Sequence, residues 1–382
     1  MRPTIAGLLA AIVSACSTPG ASMDAGAPCT AGTTTVLASD AGRLTVDGDL
    51  GSSEGIFDPA LVFALDAGVL AYSSVKSLGD IHTRVAVSAD HGRTWALAAD
   101  VNRTQAATLA STDAKECPGG SCSGTVIHEV SSVVFDGDEP DAQRRWKLVS
   151  HRYLVKADGT LLYQYGNLAL ATAPAPQGPW SEATTLIGWP SPTAFSSADA
   201  GTLSTSLAGL EDCLVLTEPD LLWRPDAGLD LAAGCVTSGG GGPHIRIELL
   251  HSDDHAATFR RVGTLVRPED VACFFAPGTA VNVNAPDLFV WGGATYVSAT
   301  PDVVGRGYRG CVVFQLAGPG TAALRQDGGQ AARLHQLTVD DGRFSGACTA
   351  SEGLGALGIL LPHATFDTGR HFAIGVTQRL PP

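Results

Sequence analysis

Four carboxyl groups stand where a chain could put chemistry. Asp58 precedes Pro59 in "FDPALVFAL", Glu218 precedes Pro219 in "TEPDLLW", Glu129 opens "EVSSVVF" and Glu352 sits in "SEG". Two carboxyls in one pocket can cleave a glycosidic bond. One protonates the leaving oxygen and the other activates water or attacks carbon, provided their surroundings push the two pKa values apart. The same residues have a structural reading, because Asp-Pro and Glu-Pro are common turn openings and can bond backbone amides where strands begin. A basic set accompanies them. Arg84, Arg246 and Arg309 lie near the starts of apolar runs and Arg152 near the end of one. With Glu352 they are the candidate substrate-binding residues, since converging arginines bind a carboxylate bidentately; on exposed loops they would instead pair with the chain's many acids. His82, His151, His244 and His371 could hold a divalent ion in a channel, and otherwise no cofactor is implied. No Gly-x-Ser-x-Gly, phosphate loop or His-Glu-x-x-His is present.

The elements that would position these groups recur. The order is a polar or acidic residue, often Pro, an apolar strand, a turn, a second strand, a loop and a third strand. Five copies begin near Asp58, Glu129, Glu218, Ala285 and Glu352, most of them about seventy residues apart. That period suits one four-stranded antiparallel unit with decorated loops, and radial repetition of such units makes a propeller. A β-sandwich would not explain the recurring opening. The expected fold is therefore all-β, a five-bladed β-propeller of four-stranded antiparallel blades over residues 29–382. Residues 33–38 ("TTTVLA") are the expected ring-closing strand, and the insertions near 103–127 and 187–213 are expected as surface loops. Superposing the apolar triplets aligns Asp58, Glu218 and Glu352, aligns Asp220 with Asp287, and leaves Glu129 about one residue out of register.

Two motifs carry a resemblance. "SADHGRTW" at Ser88–Trp95 resembles the Asp-box of sialidase-type β-propellers, and "SDDHAATF" from Ser252 is a worn copy that lacks the glycine. The motif is a hairpin staple on the blade end away from the first-strand starts, so it implies fold and no chemistry. The "DP" opening, the "EP" on the third copy, and "GPW" at Gly178-Pro179-Trp180 resemble the glycoside hydrolase family 43 and 32 architecture over most of the chain. Carried over, this implies Asp58 as general base and Glu218 as general acid, with Glu129 nearest to the usual third carboxylate. A carbohydrate partner follows from the resemblance. The alternative is a non-catalytic surface propeller that binds glycan or protein. A sialidase would need three converging arginines and a Tyr–Glu pair; Tyr153, Tyr163, Tyr165 and Tyr308 are present without diagnostic spacing.

The start, "MRPTIAGLLAAIVSAC", is one positive charge and a short apolar run too short to span a bilayer. It resembles a bacterial lipoprotein signal, which implies residues 1–15 as signal peptide and lipid attachment at Cys16. Ser17 suggests outer-membrane sorting, with 16–28 as a flexible tether. Membrane association is then expected through the anchor alone, at the bacterial cell envelope. Cys29, Cys117, Cys122, Cys213, Cys235, Cys273, Cys311 and Cys348 form an even set, read as up to four disulfides. The expected pairs are Cys117–Cys122, Cys213–Cys235, Cys273–Cys311 and Cys29–Cys348. With Lys+Arg 24 against Asp+Glu 38, the net charge of −14 argues against nucleic acid. A monomer is expected.

Overall fold

The computed structural model describes residues 32–37, 44–53, 55–75, 81–111, 115–163, 166–188, 194–195, 207–239, 242–327, 329–339, 344–354, 359–365 and 371–376. The chain is nearly all strand and forms a β-propeller of antiparallel sheets. Blade 1 comprises Ile56–Ala64, Ala67–Val75, Ile81–Ser88 and Ala96–Asn102. The central strands of blade 2 are Ser121–Phe135, Trp146–Lys156, Asn167–Ala173 and Thr184–Gly188. Blade 3 comprises Cys213–Arg224, Gly228–Gly239, Gly242–Ser252 and Arg260–Val266. Blade 4 comprises Val281–Trp291, Ala294–Val303, Cys311–Gln315 and Arg333–Val339. Four sheets thus have the expected four strands in sequence order. The fifth, Thr349–Ala350, Ile359–Thr365 and His371–Val376, has three among the described residues. Among the described residues no helix is long and apolar enough to cross a membrane.

Each blade is apolar on both faces because it packs between two neighbours. Val69, Ala71 and Val85 of blade 1 meet Val133, Trp146 and Leu148 of blade 2. Ala232, Ile247 and Leu249 of blade 3 meet Val283, Val297 and Val312 of blade 4. This explains the near-continuous apolar runs in the sequence.

The first strands share one irregularity. Pairing gains one extra residue between Phe57 and Ala60, Glu129 and Ser132, Thr217 and Asp220, and Asn284 and Asp287. At the bulge Asp58, Glu218 and Ala285 adopt φ of 49°, 49° and 44°. Left-handed backbone in non-glycine residues is strained and persists where the surroundings impose it. Just beyond the bulge in blades 2, 3 and 4, and at Thr349 in the fifth sheet, a side chain ties its blade to the next; blade 1 has Ala60 at this position. Ser132 Oγ accepts from Leu221 N (2.9 Å), Asp220 Oδ2 from Leu288 N (2.6 Å), Asp287 Oδ2 from Ala350 N (3.0 Å) and Thr349 Oγ1 from Leu61 N (2.9 Å). The last bond joins the fifth sheet to blade 1. Thr349→Val should therefore leave a buried amide unpaired and cost roughly 1–3 kcal/mol in chemical unfolding, while Thr349→Ser keeps the bond. Equal stability of the Val and Ser variants would refute a bridging role.

Several expectations are corrected here. Thr33–Leu37 does not close the ring; it pairs in parallel with the outer strand of blade 4, Thr33 opposite His335 through Leu37 opposite Val339. The fifth opening is Ala347 (φ 54°), not Glu352, which lies in an exposed 3-10 turn and accepts from Gly292 N at 2.9 Å. The insertion near 103–127 is not a loop: Gln105–Ser111 is a strand on the inner edge of blade 2. The region 187–213 lies largely outside the described residues.

Cys117–Cys122 and Cys213–Cys235 are bonded as expected. Cys311 pairs with Cys348, because blade 4's third strand abuts the fifth sheet's start, which displaces both other guesses. Cys273 is disulfide-bonded, and its partner is not among the described residues. Cys16 and Cys29, with the signal and the tether, lie outside them.

The turns at Ser88 and Ser252 have the same hydrogen bonds. Ser88 Oγ donates to Asp90 Oδ1 and accepts from Gly92 N, and Asp90 accepts from both Thr94 N and Thr94 Oγ1. Ser252, Asp254, Ala256 and Thr258 repeat this set, so the lost glycine is replaced by an alanine at φ 67°. Both turns join a third strand to a fourth, at the end of the blade away from the first-strand starts.

Candidate active site

The strained openings project their side chains at the channel mouth. Asp58 lines a narrow central cavity with Asp220, Asp287 and Ala347. Glu218 and Glu129 stand close enough that the charge of each raises Asp58. The one-residue offset of Glu129 has a physical form: it holds the position of Phe57, Thr217 and Asn284, just before the bulge. It still reaches the cluster, because Tyr153 Oη donates to Glu129 Oε1 (2.5 Å), and Tyr153 in turn feels the charge of Asp58.

Glu218 is held by tyrosines from two blades. Tyr308 Oη donates to Glu218 Oε1, and Tyr163 Oη lies 3.5 Å from the same oxygen. Tyr163 also bonds Thr217 Oγ1, which lies 3.3 Å from His151 Nδ1. Asn284 Nδ2 donates to Tyr308 Oη at 3.1 Å. Glu218 Oε2 is buried with no hydrogen-bond partner among the described residues. An acid that lacks a partner for one oxygen in a mouth lined by tyrosines has an open position for a ligand's hydroxyl or ether oxygen.

Burial dominates the electrostatics. It raises Glu218 to about 8, with Glu129 and Asp302 adding to the rise and the Tyr308 bond opposing it. Burial raises Glu129 to about 7 against the Tyr153 bond. Asp58 is pushed well above the usual range by burial, then by Glu218 and Glu129. Asp302 is raised to about 6 by burial against Arg309. Desolvation pushes His128 and His151 down to about 3, so both stay neutral. Lower in the channel, burial raises Asp220 to about 7, and burial and Asp220's charge raise Asp287.

These shifts fix the sign of a stability profile. Each raised carboxyl keeps in the native state a proton that the unfolded chain releases above about pH 4–4.5, so stability falls as pH rises towards 7–8. The two histidines act oppositely, but only below about pH 6.5, where the unfolded chain protonates them. The melting temperature is expected to fall from pH 6.5 to 8. A flat or rising curve over that window would refute native carboxyls that hold their protons.

The arginines are not brought together. Arg84 bonds Asp49, and Arg152 bonds Asn167, Ala183 O and Thr185 within blade 2. Arg246 makes a bidentate pair with Asp212 (2.6 and 2.7 Å) and a bond to Glu248 (2.5 Å). Arg309 donates to Tyr308 O at 2.8 Å and lies beside Asp302, so among the four it stands next to the site. Asp302, Thr217, Asn284 and His151 belong to the site although the sequence did not single out the first three; the signal available for Thr217 and Asn284 was the register one residue before each bulge, and Asp302, on the second strand of blade 4, carried none. Two groups of described residues could ligate one ion, and neither is at the mouth. Cys213 and Cys235 near Asp212 are oxidised, and Lys147 already lies 2.8 Å from Glu139 in the Asp136, Glu139, His255 group.

No protein family matches the sequence, and no curated protein is similar to it. Solved structures are. An endo-arabinanase of glycoside hydrolase family 43 from Bacillus licheniformis is 15% identical with a TM-score of 0.50, over 88% of this chain and 96% of that one. An exo-1,5-α-L-arabinanase from a bovine ruminal metagenomic library is 13% identical with a TM-score of 0.50, over 85% and 92%. At these identities the likeness concerns the fold: this chain has a glycoside hydrolase-like propeller.

Proposed function

We propose that the chain is a glycoside hydrolase whose working groups are Asp58, Glu129 and Glu218. The observation that supports this is their convergence: three carboxyls from three successive blades meet under tyrosine hydroxyls, two of them on strained backbone. The reaction needs one protonated and one ionised carboxyl, and mutual repulsion prevents all three from ionising together. Glu218, with a pKa of about 8, holds its proton at neutral pH and serves as general acid. Asp58 is the base. The contribution of Glu218 and Glu129 to its rise vanishes when those two are protonated, which leaves burial alone opposing its ionisation. Glu129, held by Tyr153, tunes the pair.

The substrate class is a glycan of the furanosidic kind named for the arabinanases of similar fold. A fifth blade completed from the three-stranded sheet, Asp-box turns, export as an outer-membrane lipoprotein anchored through Cys16, and a monomeric state complete the reading. Turnover of linear 1,5-α-arabinan and of a panel of nitrophenyl glycosides by the purified chain is the test. Release of reducing sugar supports the reading. No turnover, with retained glycan binding, favours the non-catalytic surface propeller.

A further inference from the structure

The sheet of blade 2 does not stop at its first strand. Gln105–Ser111 pairs along the inner edge of Ser121–Phe135, Gln105 opposite Val126 and Ala110 opposite Ser121, and Ala194–Phe195 pairs with its far side. In blades 1, 3 and 4 the first strand ends the sheet on the channel side. The two added strands therefore extend the sheet towards the propeller axis, by about 5 Å each. They also stand high. The first strand of blade 2 starts at Ser121, eight residues ahead of Glu129, whereas its counterparts start one to four residues ahead of Phe57, Thr217 and Asn284. Gln105, opposite Val126, lies about 10 Å of strand above Glu129.

This ribbon is braced. Cys117–Cys122 ties the connection between its strands, and Lys156 Nζ reaches Glu116 (O at 3.1 Å). Leu109, Val126, Leu154 and Leu162 form a small core with that disulfide on one face. The other face carries Ile127 and Tyr153, packed against blade 1's Ile81, and above them the exposed hydroxyls of Thr108 and Ser123, 2.9 Å apart. The wall that begins at the site's own tyrosine thus continues upward as polar surface.

We infer that this ribbon roofs the carboxylate site, so that it admits the end of a glycan chain and excludes its interior. The inference rests on the proposed glycan substrate for its biological meaning, while the roof is a matter of access. Access is measured without turnover. Carbodiimide activation is followed by coupling to methylamine or to a long polyethylene glycol that carries its amine at mid-chain, and labelled carboxyls are read by peptide mass spectrometry. Exposed Glu352 is the reference. In the native protein Asp58 is expected to couple to methylamine and to lose coupling to the long amine, while Glu352 takes both. A variant with residues 106–125 replaced by an Asn-Gly turn joins Gln105 to Val126, already opposite each other, and should let Asp58 couple to both. Equal coupling of Asp58 to both amines in the native protein would overturn the roof, as would failure of methylamine to reach it; the native measurement decides even if the shortened variant does not fold. On linear 1,5-α-arabinan the native protein should release only the shortest products from the first minutes, and the shortened variant mid-length fragments. Absence of all turnover counts against the proposed reaction and leaves the labelling result standing.

Discussion

Glu218→Gln is expected to lower kcat/KM on an unactivated glycoside by about 10²–10⁴-fold, the usual contribution of a positioned proton donor. Asp58→Asn should do the same by removing the base. The two are separated by leaving group. A nitrophenolate departs without protonation, so a nitrophenyl glycoside should recover much of the activity of Glu218→Gln and none of that of Asp58→Asn. The pH profile gives a second discriminator. With Glu218 at about 8, kcat/KM should fall above that pH as the acid loses its proton, and the limb should vanish in Glu218→Gln. The variant should also be more stable than the native chain at pH 8, because a buried amide has no proton to lose; the native group costs about 1.4 kcal/mol per pH unit over the range where only the unfolded chain ionises. Activity surviving both substitutions would remove Asp58 and Glu218 from these roles. Lost stability instead of lost turnover would make the carboxyls structural.

The recurrence of an acidic or Pro-marked opening made the propeller legible, because each blade solves the same problem of turning into the channel with the same bulge. Asp58 and Glu218 were legible for that reason, as were the equivalent Asp220 and Asp287, whose carboxyls tie one blade to the next. Glu129 was readable as the third carboxyl, one residue out of register, but its bond to Tyr153, a strand away, was not. The fifth opening was misplaced because Ala347 carries no polar signal: the repeat there is kept by backbone conformation and by Thr349, not by an acid. The parallel seat of Thr33–Leu37 on blade 4 has no local signature, because an edge strand's choice of partner is set by the edge left open. The sequence left the cysteine pairing open, and the two expected pairs that the structure contains, Cys117–Cys122 and Cys213–Cys235, each lie within one blade. Cys311–Cys348 joins two sheets whose adjacency is a tertiary fact. The arginines follow the alternative reading, paired elsewhere: Arg84 and Arg246 find carboxylates, Arg152 finds amide, carbonyl and hydroxyl oxygens of blade 2, and of the four Arg309 lies beside the site.

Lys147→Met is expected to be the most damaging substitution outside the site. Lys147 is fully buried on the second strand of blade 2, and its ammonium lies 2.8 Å from Glu139 Oε2, 3.0 Å from Arg144 O and 3.5 Å from Asp136 Oδ2. Asp136 extends the set to blade 3, accepting from His255 Nδ1 at 2.9 Å in the turn that repeats the "SADHGRTW" hydrogen bonds. Burial works to raise Glu139, and the Lys147 ammonium outweighs it, so the acid stays charged. Methionine fills a similar volume and removes the cation, leaving two buried carboxylates facing each other. Breaking such a pair from one side costs about 3–5 kcal/mol, which corresponds to a fall of roughly 4–7 °C in melting temperature for a domain of this size. Glu139→Gln in the same background should recover a large part of that loss, since it removes the stranded charge, whereas Glu139→Gln alone should destabilise. Additive effects of the two substitutions would show that Lys147 is held by packing and not by its carboxylates. Recovery would identify the hairpin of blade 2 and the turn of blade 3 as one electrostatic joint, on the end of the propeller opposite the carboxylates of the mouth.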